Sequence, residues 1–90
     1  MHPLISICIP TYNRAELLDY CLDGLAPLQD CGTPLEIVIS DNGSTDDTPE
    51  VIKAHSRRNK LIRAHRFAET RGPAPNWLNA LRKAEGEFML

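Results

Sequence analysis

The chain has 90 residues, 42% hydrophobic and 24% charged, with a formal net charge of −2. That suits one small domain, which would bury roughly 60–65% of the surface its unfolded chain exposes, and the ordinary apolar content excludes a disordered segment. No apolar run approaches the ~20 residues of a membrane span, and the first residues lack the basic, apolar and small-residue progression of a secretory leader.

Leu4 to Ile9 is a β-branched apolar run ending at Pro10, which predicts a buried strand. Asn13 precedes RAELLDYCLDGL, where Leu17, Leu18, Cys21, Leu22 and Leu25 share one helical face. Asn13 with Glu16 three residues on has the form of a capping box, so the first helix is expected to start there. Pro27 lies just past its end, and Leu35 to Ser40 is a second buried strand. Thr48-Pro49 predicts the next helix start, with threonine as N-cap and proline at the first helical position. That helix is expected to reach about Ser56, and Leu61 to His65 to form a short third strand. Pro73 and Pro75 open a third helix with Trp77, Leu78, Leu81 and Ala84 on one face, closing near Gly86. Phe88, Met89 and Leu90 begin another apolar run, which has the character of an unfinished central strand.

The order is therefore βαβαβαβ. It implies a Rossmann-like α/β fold, a mostly parallel sheet with helices on both faces and right-handed crossovers. Ligands of such sheets bind at the carboxyl ends of the strands. The segments that leave those ends are PTYNR after the first strand and SDNGSTDDT after the second. An unfinished strand would leave an open sheet edge, which invites homodimerisation by edge pairing. It also suggests that the chain is a fragment of a longer protein.

Charge is unevenly distributed. Residues 1–50 carry nine acids and Arg14 alone as base, whereas residues 51–90 carry nine bases and three acids. The basic stretch HSRRNKLIRAHR (55–66) lacks interleaved aromatics, so a solvated helix end and strand face is expected and nucleic acid is not a partner. Cys8, Cys21 and Cys31 have no metal-ligand spacing. Cys8 and Cys21 fall in apolar patterns as buried thiols, in keeping with a reducing cytoplasm.

The acidic loop has no Lys or Arg between residues 37 and 52. Its aspartates would favour the following helix dipole and repel a phosphate, so a phosphate cradle is excluded. Neither strand-to-helix turn has the G-x-G-x-x-G fingerprint. Asp46 and Asp47 are explained by first-turn electrostatics and loop hydrogen bonds. Asp41 stands at the end of the strand, where its carboxylate either accepts a nucleobase ring N–H or makes a local turn with Gly43. Tyr12 offers a ring for stacking on a base, or is a half-buried surface tyrosine. Arg14 sits at the wrong end of a helix dipole, which an anionic ligand would correct; the plainer alternative is pairing with a nearby acid.

The patterns CIPTYNR, IVISDNGSTDDT and RGPAPNWLNALRKAEGEF, in this order and spacing, resemble the N-terminal half of family 2 glycosyltransferases with the GT-A fold. The resemblance implies a site for a nucleotide-diphospho-sugar. Pro10, Thr11 and Tyr12 would border base and ribose. Asp41 would match the first acid of the family's D-D-G-S loop, whose second position is here Asn42. Arg71 and Asn76 would approach the nucleotide, with Gly72 giving the loop a permissive backbone. The family's D-x-D motif, which holds Mg²⁺ or Mn²⁺, and its general base are expected beyond Leu90, so residues 1–90 would be the nucleotide-binding part, truncated before that motif and inactive alone, with no catalytic or metal residue named. The full enzyme would be an inverting transferase acting on a carbohydrate or lipid-linked acceptor of bacterial cell-wall or polysaccharide synthesis, in the cytoplasm at the inner membrane face. A receiver-type signalling module needs acids ending the first strand, which here reads I-P-T-Y. A dinucleotide oxidoreductase lacks its glycines. A non-catalytic interaction module is the remaining alternative.

Overall fold

The computed structural model describes residues 3–86, 88 and 89. The elements are β1 (Ile5–Thr11), α1 (Ala15–Leu25), β2 (Leu35–Asp41), α2 (Thr48–Arg58), β3 (Ile62–Arg66), α3 (Pro73–Lys83) and β4 (Phe88–Met89), with a 3-10 turn over Ala26–Asp30. All pairings are parallel, in the order β3-β2-β1-β4. The final strand is thus at an edge among the described residues, beside Ile5 and Ser6 of β1. Leu90 lies outside the described residues.

Register explains the layering. Ile7 pairs with Ile37, Ile9 with Ile39, and Ile37 with Ile62, so alternation places a row of isoleucines on one sheet face. Leu18 and Leu22 of α1 and Ile52 of α2 pack on that row with Ile37 and Ile39 to form the core. α3 covers the other face, where the strands present Ser6, Glu36 and Ser40, all buried. A polar sheet face selects a polar helix face. Asn76 accepts from Ser40 Oγ at 2.7 Å, Asn79 donates to the same oxygen at 2.9 Å, and Ala80, fully buried, lets the helix approach. Trp77 and Leu78 are therefore exposed rather than central to a buried stripe, and Ala84 lies past the helix end in extended conformation. Lower on this face Glu36 accepts from Ser6 Oγ at 2.6 Å and from the Glu85 N–H, while Arg63 bridges Glu36 at 3.4 Å and Glu85 at 3.0 Å. Of the basic stretch, Arg63 and Arg66 form ion pairs, while Arg57, Arg58 and Lys60 are exposed at the end of α2 and after it, the solvated helix end that was expected.

Three local expectations are corrected. β1 continues through Pro10 to Thr11. The Thr11 carbonyl accepts from Asn42 N–H on the β2 side, so the nitrogen of Pro10 faces the other way, toward the β4 side, where among the described residues β4 pairs with Ile5 and Ser6. Asn13 does not cap α1. It takes φ +48° and its Oδ1 accepts from Thr45 N–H at 2.8 Å, which ties the two loops together. The Ala15 N–H at the start of α1 donates instead to Asp46 Oδ2 at 3.3 Å. Finally, Leu17 and Cys21 are exposed, because Leu18, Leu22 and Leu25 take the contact with the sheet and α2, and a 100° step per residue turns Leu17 and Cys21 away from it.

Candidate functional site

The two segments leaving β1 and β2 meet at the carboxyl edge of the sheet. Asp46 stands between the helices they feed: Oδ1 accepts from both the N–H (2.9 Å) and the hydroxyl of Thr48 at the start of α2, and Oδ2 serves α1. The Thr48 hydroxyl, with backbone bonds to Thr48 and Ala15, holds the Asp46 carboxyl below its usual range. Its role in capping and loop bonding is the one expected of it, although it reaches one helix more than the sequence implied.

Beside this junction lies an open cleft of about 850 Å³ between α1 and α3. Ile9, Leu17, Leu18, Cys21 and Trp77 make its apolar walls, and Pro10, Thr11, Tyr12 and Arg14 come from the β1–α1 segment. Asn42, Thr70 and Gly72 close the opposite side. Tyr12 is 43% exposed, enough of a ring face to stack on a planar ligand. Arg14 is exposed and, among the described residues, makes no ion pair, so the pairing alternative for it is not realised. It also lines a smaller depression of about 540 Å³ with Asn13, Asp46 and Asp47.

The remaining candidate residues sit differently. Asp41 is 1% exposed. Its Oδ1 accepts from the N–H (3.1 Å) and hydroxyl of Ser44, so a local turn does form, with Ser44 rather than Gly43 as donor. Its Oδ2 is buried with no hydrogen-bond partner, 3.4 Å from Arg66 Nε. The guanidinium offsets its charge, and the oxygen keeps acceptor capacity at this edge. Asn76 lines the cleft but is 3% exposed with both ends engaged, Oδ1 by Ser40 and Nδ2 by the Thr11 carbonyl at 3.3 Å. Arg71 does not line the cleft; its guanidinium lies 5.1 Å from the Phe67 ring centre, a cation–π contact. The sequence did not point to Leu17, Cys21 or Trp77 as cleft walls, because their spacing is that of a core stripe. Nor did it point to Arg66, whose ion pair with Asp41 joins residues 25 positions apart.

A metal does not fit this cleft with the side chains present. Among the described residues its lining holds no carboxylate; nearby Asp41 has one oxygen committed to Ser44 and the other beside a guanidinium, and Asp46 is engaged by Thr48 and Ala15. Asp19, Asp23 and His55 bring ligand atoms within 4.8 Å of one another, on α1 and α2 and away from the cleft lining, and His55 there makes a 2.6 Å contact to Asp19 that joins the two helices. Among the described residues no helix is long and apolar enough to cross a membrane. All three cysteines are free, and the buried-thiol expectation is corrected for Cys21, while Cys8 is part-buried, its thiol pushed up by burial and by Glu36.

Comparison with known proteins agrees with this arrangement. The chain is 40% identical over 86 residues to the abequosyltransferase RfbV of Salmonella typhimurium, which covers 94% of this chain and 26% of that protein. It is 32% identical over 85 residues to the poly(ribitol-phosphate) β-N-acetylglucosaminyltransferase TarS of Staphylococcus aureus. Its structure superposes on the mannosyltransferase PcManGT from Pyrobaculum calidifontis, solved with GDP-Man and Mn²⁺, with a TM-score of 0.82 and 31% identity over 99% of this chain and 26% of that one. The TM-score with TarS 1–349 in complex with UDP-GlcNAc is 0.76 at 28% identity, over 97% of this chain and 25% of that one. The chain thus spans about a quarter of these structural relatives, and the shared architecture is that of GT-A glycosyltransferases. The description Glycosyl transferase family 2 matches residues 6–90, and the chain belongs to that family.

Proposed function

We propose that this chain is the donor-nucleotide half of an inverting glycosyltransferase, and that its cleft takes the nucleoside diphosphate of a nucleotide-diphospho-sugar. The observation that carries this is the position of the cleft. It opens where β1 and β2 end, with an exposed aromatic ring (Tyr12) and an unpaired cation (Arg14) on the same wall. Tyr12 stacks on the base, Pro10 and Thr11 border the ribose, and Arg14 faces the diphosphate from the start of α1, reversing the cost of a cation at that helix end. Asp41 Oδ2 accepts a base ring N–H, with Arg66 paired to the same carboxylate. Asn76 shapes the floor by fixing Thr11 to Ser40, and Arg71 contributes from the adjoining segment.

The relatives solved with GDP-Man and Mn²⁺ and with UDP-GlcNAc support a nucleotide-sugar donor and a divalent cation in the complete enzyme. That cation and the base that activates the acceptor hydroxyl are placed outside residues 1–90, so this chain supplies binding rather than bond-making. Its acceptor is a carbohydrate or a lipid-linked carbohydrate at the cytoplasmic side of the membrane, a setting that suits three unpaired cysteines.

The test is thermal denaturation with UDP, dTDP and GDP, each with and without Mn²⁺. One of them at about 100 Kd is expected to stabilise the chain by about 2.7 kcal/mol. Asp41→Ala and Arg14→Ala should each abolish the shift. If no nucleoside diphosphate moves the melting temperature, the donor-site reading is wrong.

A further inference from the structure

Asn42 occupies the position where the family's loop has its second acid, and the structure shows both ends of its amide in use. Its Oδ1 accepts from the Arg71 N–H at 2.9 Å, and its Nδ2 donates to the Gly72 carbonyl at 3.0 Å. Its own N–H donates to the Thr11 carbonyl at 2.9 Å, and the residue is 4% exposed. The end of β3 and the connection after it (residues 66–72) meet the end of β2 and the loop after it at three further points. Phe67 N–H donates to the Asp41 carbonyl at 2.9 Å, Arg66 donates to the Ser44 carbonyl at 2.9 Å, and Gly43 lies against the backbone of Glu69 and Thr70. Asn42, Thr70 and Gly72 together form the cleft side opposite Tyr12 and Arg14.

We infer that Asn42 is a positioning residue, a latch that sets the width of the donor cleft by holding residues 70–72 against the end of β2. An amide is required for this task. Aspartate could still accept from the Arg71 N–H, but it would turn an oxygen toward the Gly72 carbonyl, where a donor is needed. With asparagine the latch is neutral, and among the described residues Asp41 is the buried carboxylate at this edge. The inference rests on the donor-nucleotide reading for its effect on ligand affinity, whereas the latch itself is measurable without ligand.

The ligand-free experiment is amide hydrogen exchange. Arg71 is expected to exchange at least tenfold faster in Asn42→Ala than in wild type, while the Ile37 to Ile39 amides of the core strand keep their protection and so report an intact fold. Unchanged Arg71 exchange would overturn the latch. The second arm measures UDP and GDP affinity of Asn42→Asp, which keeps the size of the residue. Its affinity should be at least tenfold weaker than wild type at pH 7.5, and the ratio to wild type should recover as pH falls toward 5. A carboxylate facing a carbonyl is more easily protonated, and the protonated form regains the donor. The charged groups around position 42 are Asp41, Arg66, Glu69 and Arg71, with Arg14 also lining the cleft; all are present in both proteins, so the ratio isolates position 42. Faster Arg71 exchange with unaltered nucleotide affinity would overturn the positioning role. If wild type binds no nucleotide, the donor reading fails and the exchange arm still decides the latch.

Discussion

Replacing Gly43 with alanine should cost more than its backbone conformation alone demands. Gly43 has φ +72°, and a Cβ there would lie 2.9 Å from both the carbonyl carbon of Glu69 and the nitrogen of Thr70. The left-handed conformation costs a non-glycine residue about 1–2 kcal/mol. The contact is with backbone, which cannot rotate aside, so residues 69–70 must move away from the loop. That movement strains the Arg71–Asn42 and Phe67–Asp41 hydrogen bonds, each worth about 0.5–1.5 kcal/mol. The sum is about 2–5 kcal/mol, a large share of the roughly 5–15 kcal/mol that holds such a domain together. Two other glycines separate the contributions. Gly72, at φ +87° and ψ 166°, sits in a region that only glycine adopts readily, so alanine there should show that conformational cost alone, about 1–3 kcal/mol, with nothing within 4 Å of an added Cβ. Gly24, inside α1 with equally open space, should be stabilised by about 0.5–1 kcal/mol. Urea unfolding of the three variants is the assay, and the expected order is Gly24→Ala above wild type, then Gly72→Ala, then Gly43→Ala. Equal losses at positions 43 and 72 would refute the claim that the two loops are packed backbone to backbone.

Leu22→Ala, at a fully buried position on α1 facing the isoleucine row, should lose about 2–5 kcal/mol in the same assay, and a loss under about 1 kcal/mol would contradict the described core. Asp46 titrates below its ordinary value because Thr48 and Ala15 bond its carboxylate, so folding favours the charged form. The stability this contributes is present above the unfolded carboxyl pKa of about 3.9 and is lost as pH falls through the lower folded value. Wild type should therefore lose melting temperature faster than Asp46→Asn on acidification below about pH 4, and parallel acid profiles would exclude this role. Cys21 and Cys31 are exposed and should react readily with iodoacetamide at pH 8, whereas Cys8, part-buried with its thiol pushed up, should lag at least about tenfold. Mass mapping of the labelled peptides checks the order, and equal labelling of Cys8 and Cys21 would contradict their placement.

The alternation of strands and helices, the parallel sheet and the carboxyl edge where the cleft opens were legible in the chain. Local residue type sets them: the β-branched runs at Leu4–Ile9 and Leu35–Ser40, the leucines of α1 at helical spacing, and Thr48-Pro49 at a helix start. The loop hydrogen bonding of Asp46 was legible too, although its capping of both helices was not. What short-range pattern could not supply were the pairings across the fold. Asn13 resembles an N-cap from its neighbours alone, yet it bonds Thr45 because the second loop arrives beside it, and Asp46 then caps α1 in its place. Trp77 and Leu78 carry the spacing of a core stripe, yet Ser6, Glu36 and Ser40 on the facing strands draw Asn76, Asn79 and Ala80 inward instead. By itself the sequence determined which segments are strands and helices and which family they compose, since both follow from local residue chemistry and its order. Only the tertiary structure decided that Asp41 keeps one oxygen free beside Arg66 and that Asn42 holds residues 71 and 72. Those partners lie 25 to 30 positions apart, and their meeting depends on how β2, β3 and α3 pack.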